Sequence, residues 1–389
     1  MKYWTGYLTA AIIGAITWAL MRLAESFEEL VDMVYPYVVR NLQNFLAEWT
    51  SVVDYPVWQL LAIVLLVLIL ATLVLVVILK RSFIGWAGWV AAVFAGIYML
   101  HILMWGLNYH AGDLSDDLRL DTSTYNLEEL VEATQFYRDK AMELSTQVKR
   151  DAAGNVDFAE FETLAETAGK GFEILTYEHH YPVFAGSRLP VKKLGWADLY
   201  SSMGITGVTF GITGEAAVNP QIPDVTLPFT MTHEMAHRMC IANERDANFA
   251  AFLACSVHPD PEFRYSGYFM AFRYCYNALV SVNHPSASAA AARIKAEVSK
   301  TLQQDMDFYS SFFRSKESAL ATNVADTMND AYLKTSGDSS GIASYGQVCD
   351  LLVNWHIQTV VLPSISVEES KFDPYDESQI DLTGIVNAR

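Results

Sequence analysis

The stretch Thr230–Ala254, TMTHEMAHRMCIANERDANFAAFLA, decides how the rest of the chain is read. Its two histidines, His233 and His237, are one helical turn apart, so both imidazoles can face a single ion. Glu234 points off that line. It cannot be a third ligand from the same helix face, but it can reach a zinc-bound water and take its proton as the water attacks a carbonyl. HExxH is a short pattern, and a polar helix carrying an i,i+4 histidine pair is the plainer reading. The surroundings favour the chemistry. Glu244 and Asn248 follow in NERDANFAAFLA, again one turn apart, and Asn243 suits the cap of a new helix. Glu244 lies seven residues beyond His237, too far for three ligands on one straight helix, so the chain must bend across Cys240–Asn243. With that bend His233, His237 and Glu244 make a His₂Glu set with one position left for water, as at a catalytic zinc site. Asn248 can then hydrogen-bond the free ring nitrogen of a ligand histidine. Asp246 competes as ligand or supporting residue.

Helical texture runs from Thr230 to about Leu362, and from Pro363 the chain turns acidic and irregular, a tail packed on the surface or mobile. Upstream, GITGVTFGITGEAAVNPQIP (204–223) has the Gly, Thr, Val and Phe content of short strands and turns. Leu127–Leu164 shows helical spacing broken by the Ala153–Asn155 turn and reads as two helices. The expected fold is therefore mainly α with a small β-sheet.

The first 105 residues are chemically different, with 6 acids and 5 bases against 38 acids and 21 bases in 106–389. Tyr55–Leu79, YPVWQLLAIVLLVLILATLVLVVIL, is free of charge and long enough to cross a bilayer. Ser82–Leu100 is a second uncharged run that extends to Trp105, separated from the first by Lys80 and Arg81. Trp4–Leu20 is a third; it lacks a small-residue cleavage site and leads into Met21 and Arg22, which favours a retained helix over a signal peptide. Three spans are expected, at about 4–23, 56–79 and 82–105, with an outer domain over 106–389. The basic Lys80–Arg81 turn, set against the acidic segment Met21–Asp54, places that turn in the cytoplasm. The domain is then extracytoplasmic, in a multi-pass protein of the cytoplasmic membrane whose partners are the lipid bilayer and a substrate. The net charge of −18 argues against nucleic acid, and no P-loop, dinucleotide fingerprint or Ser-His-Asp signature is present.

Several segments together resemble the DUF3810 family: WGLNYH (105–110), TGEAAVNP (213–220), PFTMTHEMAH (228–237), ERDANFAAFLAC (244–255) and FRYSGY (263–268). The resemblance covers nearly the whole chain. It implies three amino-terminal membrane helices followed by a zincin-like α+β metallopeptidase domain with a gluzincin-type site. Its HExxH corresponds to His233, Glu234 and His237, and its ExxAN to Glu244–Asn248. The family commonly has Gly in the turn after HExxH, where this chain has Cys240. A left-handed backbone there would be strained, so the turn is expected to use other dihedrals, and the thiol competes with Glu244 as a ligand.

A zinc peptidase also needs an oxyanion donor and an edge strand to hold its substrate extended. Thr209–Val218 is the candidate strand, with an internal hairpin as the alternative. Tyr265 and His180 are the leading donor candidates, beside Tyr268 and Arg264, each able to present a hydrogen to developing negative charge. Cys240, Cys255, Cys275 and Cys349 allow three disulfide pairings, but apolar helical surroundings favour buried free thiols. The function these residues point to is Zn2+-dependent hydrolysis of a peptide or protein. A catalytically inactive zincin-fold binding, sensor or envelope scaffold protein is the alternative. Intramembrane cleavage is disfavoured, because the motif lies in polar sequence far beyond the last span.

Overall fold

In the computed structural model, residues 3–316, Thr327 and 344–362 are described; the expectation for the acidic tail falls outside them. Three helices of 22 residues, α1 (Thr5–Ser26), α3 (Val57–Ile78) and α4 (Phe83–Met104), are long and apolar enough to cross a membrane. At about 33 Å each they match a hydrocarbon core. They mark the chain as a membrane protein.

Helices α1 and α4 run side by side in the same direction. Gly6 meets Gly88 at one end, and the Tyr98 hydroxyl reaches the Met21 sulfur near the other. A Cβ on Gly6 would sit 2.4 Å from the Gly88 carbonyl carbon, so the approach depends on small residues. Helix α3 joins α4 through the Lys80–Arg81 turn, where Trp86 Nε1 donates to Thr72 Oγ1 at 3.0 Å.

The acidic segment between the first two spans is not a plain loop. It forms α2 (Glu28–Thr50), a helix that the sequence reading missed. Its acids cluster at the start, while the following apolar residues recur at helical spacing.

The domain is helical around a three-stranded sheet. Helix α5 (Leu114–Leu118) leads to α6 (Leu127–Ser145), which starts at an Asn126–Glu129 capping box. The expected two helices of Leu127–Leu164 become α6, an Arg150–Val156 bridge closed around Gly154 (φ +85°), and α7 (Phe161–Thr167). Helix α8 (Lys170–Tyr177) follows. Strands β1 (Lys192–Lys193), β2 (Gly207–Phe210) and β3 (Glu215–Val218) are ordered β1-β3-β2, with β1 parallel and β2 antiparallel to the central β3. Short α9 (Ala197–Ser202) sits between β1 and β2. Then come α10 (Leu227–Arg238), α11 (Glu244–Val257), α12 (Pro261–Ser281), α13 (Pro285–Ala296), α14 (Lys300–Lys316) and α15 (Ser344–His356). Helix α11 is the core element. From Asp246 to Cys255 every side chain is buried, and Phe252 packs edge-on against Tyr137, Tyr268 and Trp355.

Polar contacts fasten the domain to the membrane helices. The Glu215 carboxylate accepts from the backbone of Val57 and Trp58 at 2.8 and 3.0 Å, capping the positive end of α3. Lys192 Nζ bridges Glu215 and the Thr50 carbonyl at 2.6 and 2.7 Å. Gln59 and the Gly195 backbone exchange two hydrogen bonds.

Candidate metal centre

Helix α10 carries HExxH and ends in a Schellman turn: Cys240 N–H bonds the His237 carbonyl and Ile241 N–H the Ala236 carbonyl. Cys240 takes the left-handed position at φ +73°. The expectation that the turn would avoid that region is therefore corrected; reversing the chain within so few residues requires it, at a cost of about 1–2 kcal/mol for a side chain bearing Cβ. Asn243 caps α11 by accepting from Arg245 N–H at 3.0 Å, which sets Glu244 as the first residue of the new helix.

The reversal brings three donors together. His233 Nε2 is 3.3 Å from Glu244 Oε2, and His237 Nε2 is 3.6 Å from Glu244 Oε1. One ligand atom from each of His233, His237 and Glu244 lies within 4.8 Å of the others, so the group could hold a metal ion. The fit is supported by the contacts themselves. Glu244 Oε2, although buried, makes no hydrogen bond among the described residues, so it faces the imidazole without being bonded to it. Tetrahedral ligation at about 2.0–2.2 Å separates neighbouring donors by about 3.4 Å, close to the two histidine–carboxylate separations of 3.3 and 3.6 Å. His237 Nδ1 donates to the Ile241 carbonyl at 2.8 Å, and this turns the Nε2 lone pair toward the group.

Electrostatics follow from burial and proximity. Burial lowers the pKa of His237, but Glu244 overcompensates and lifts it to about 9. Burial works against the Glu244 carboxylate, and the two imidazoles outweigh it, holding that group well below the usual carboxylate range. Glu234 is raised, because burial dominates over His233, His237 and the Thr209 hydroxyl. The adjoining carboxylates thus diverge, one kept as an anion and the other made more basic.

Glu234 is seated by β2. The Thr209 hydroxyl donates to its Oε2 at 2.8 Å, and a Cβ on Gly207 would lie 2.3 Å from its Oε1. Glycine at 207 is what makes room for the carboxylate. The residues from Met203 to Thr209 line one wall of a cavity of about 630 Å³ that contains His233, Glu234, His237 and Glu244. Among the described residues β2 pairs with β3 alone, so the Thr209–Val218 region is a hairpin with one edge strand beside the cavity. Trp105, the residue after α4, forms another wall and sets its ring edge-on to His237 at 5.9 Å.

Other expected site residues lie elsewhere. Tyr265 is buried and bonds Asp305, which Arg150 also holds, so its hydroxyl serves a core ion pair away from the cavity. His180 is exposed in a left-handed turn and does not line the cavity. Tyr268 packs in the aromatic core, and Arg264 holds the His258 and Pro259 carbonyls. Among the described residues, the tyrosines that reach the cavity are Tyr109, Tyr274 and Tyr309. Tyr274 is nine residues from Tyr265, half a turn out of phase on α12, so one tyrosine-rich helix serves two opposite faces. The alternating faces were the available signal.

Asn248 also departs from expectation. No hydrogen bond joins it to either imidazole; its Oδ1 accepts from the Tyr274 hydroxyl at 3.0 Å, and the Ile241 carbonyl takes the supporting role at His237. Asp246 is occupied by Arg245 and Leu114 N–H. The Cys240 thiol is outside the donor group and borders a separate cavity near Arg40. All four cysteines are buried and free.

No curated protein and no solved structure matches the chain. Residues 32–353 match the family described as protein of unknown function (DUF3810), and the chain belongs to that family.

Proposed function

We propose that the protein is a membrane-anchored zinc metallopeptidase that hydrolyses peptide bonds outside the cytoplasm, with residues 1–105 as its membrane region and a zincin-like domain from 106 onward. The observation that carries this reading is the convergence of His233, His237 and Glu244 beside a separate buried carboxylate, Glu234. His233, His237 and Glu244 would hold the ion, and zinc bound there would supply Lewis acidity and acidify water. Glu234 takes the proton of the attacking water and returns it to the leaving amine, a double role that its raised pKa suits. Thr209 and the space at Gly207 keep that carboxylate aimed. An extended substrate lies along the edge of β2 away from β3, and the phenol of Tyr309, which lines the cavity, is the donor assigned to the developing negative charge, since the Tyr274 hydroxyl is committed to Asn248 Oδ1. The outward placement rests on the basic Lys80–Arg81 turn and the acids of the segment Met21–Asp54 at the opposite side.

The test is cleavage of a peptide library by the zinc-loaded, full-length protein and by Glu234→Gln at matched metal occupancy. Chelation should abolish cleavage, and the variant should keep its ion while losing activity by roughly 10²–10⁴-fold. Equal rates would refute the base assignment. A loaded protein that cleaves nothing in the library would leave a binding or scaffold role in its place.

A further inference from the structure

Helix α2 has its polar and apolar faces reversed relative to a helix on a water-facing domain. Its buried side places Arg40 and Gln43 among the small apolar residues Pro36, Val39 and Ala47, while its exposed side carries the large apolar residues Leu30, Met33, Val38, Phe45 and Trp49. Gln43 is fully buried, whereas Met33 is 68% and Trp49 69% exposed. The inward groups are bonded to backbone: Arg40 Nε to the Met239 carbonyl at 3.0 Å, and Gln43 Nε2 to the Gly211 carbonyl at 2.7 Å. Such a pattern is favourable only when the outer medium is apolar.

The neighbouring helices say what that medium is. Helix α1 delivers the chain to α2, and α3 takes it away. Both junctions lie at the domain end of the bundle: α1 runs parallel to α4, which ends beneath the domain, and the first turn of α3 is capped by Glu215. A helix of 23 residues that begins and ends at one face of a bilayer does not cross it. It lies across the end of α4 instead. The Tyr35 hydroxyl donates to the Leu103 carbonyl at 2.9 Å and Gln43 Nε2 to the Met104 carbonyl at 3.0 Å, satisfying the last carbonyls of that helix. Glu28, Glu29 and Asp32 at its start and Asn41 and Glu48 further along are also exposed and interrupt the apolar face, which suits headgroup depth rather than hydrocarbon.

We infer that α2 is an interfacial helix, lying along the membrane with its apolar face at the headgroup–acyl boundary and its polar face carrying the domain. Since Arg40 holds the turn after His237 and Trp105 touches the His237 ring, the metal centre is thereby mounted at the lipid surface. This inference rests on the membrane helices and not on the proposed peptidase activity.

The test uses full-length protein in phosphatidylcholine–phosphatidylglycerol vesicles, with an environment-sensitive fluorophore on Val38→Cys or Phe45→Cys. The native cysteines are buried, and the unsubstituted parent gives the labelling background. Leu68→Cys at an exposed position of α3 and Lys295→Cys at an exposed position of α13 serve as references. Probes at 38 and 45 should be quenched at least threefold more by a nitroxide at acyl position 5 than by one at position 12 or by aqueous iodide. The probe at 68 should prefer the deep nitroxide, and that at 295 should respond to iodide alone. Probes at 38 and 45 that follow either reference would overturn the inference.

Discussion

The donor group and the wall that faces it are built at different ranges along the chain. His233, His237 and Glu244 span twelve residues on two consecutive helices, and one Schellman turn is enough to bring them together. The opposing wall takes Thr209 from an edge strand, Tyr274 from α12 and Tyr309 from α14, none of which adjoins the motif. Local spacing therefore builds the part that holds an ion, and tertiary packing builds the part that would direct chemistry on a substrate. The two parts should fail separately.

The largest expected separation is that of Glu234→Gln, which removes the base and leaves all three donors in place. Next is Tyr309→Phe, which keeps the ring stacked on the Arg273 guanidinium but deletes the hydroxyl. It should lower kcat by roughly 10²-fold with zinc affinity unchanged; steady-state kinetics beside a zinc titration checks this, and a matching loss of zinc affinity would merge the two parts again. A third test concerns the donor group alone. His237 is protonated below about 9 when no ion is bound, and ligation needs the neutral ring, so binding displaces a proton. Zinc affinity should accordingly rise about tenfold per pH unit between pH 6 and 8, in chelator-competition titrations. A flat profile would contradict a protonated His237 facing the Glu244 carboxylate in the ion-free site.

The smallest effect is expected at the turn. Cys240→Gly and Cys240→Ala both remove the thiol, but only alanine retains a Cβ in the left-handed position. Glycine should be the more stable of the pair by about 1 kcal/mol in denaturant unfolding. Equal stabilities would mean that the turn relaxes when the side chain shrinks.

The same contrast explains what could be read from the sequence. The HExxH spacing, the return of Glu244 and the Asn243 cap are short-range consequences of helix geometry, and the charge-free runs announce their helices by length alone. Strands β2 and β3 show in the texture of residues 204–223, whereas β1, only Lys192–Lys193, lies outside it and leaves no pattern of its own. The Thr209–Glu234 bond joins residues 25 apart through a strand-on-helix contact that no spacing rule announces. Tyr265 was singled out over Tyr274 because a tyrosine-rich helix does not reveal which face meets the cavity; the buried Arg150–Asp305 pair claims one face and Asn248 the other. Helix α2 is hidden in the acidic segment Met21–Asp54 because Glu28, Glu29 and Asp32 dominate its beginning. Its apolar residues face outward, and only the arrangement of the flanking membrane helices gives that face a partner.

The most direct measurement is the metal content of the purified full-length protein, dialysed against zinc and then against buffer, beside that of His233→Ala and Glu244→Ala. One zinc per chain in the parent and a loss of bound ion in both variants is the result expected from the three converging donors. A parent that retains no zinc, or variants that retain as much as the parent, would contradict it.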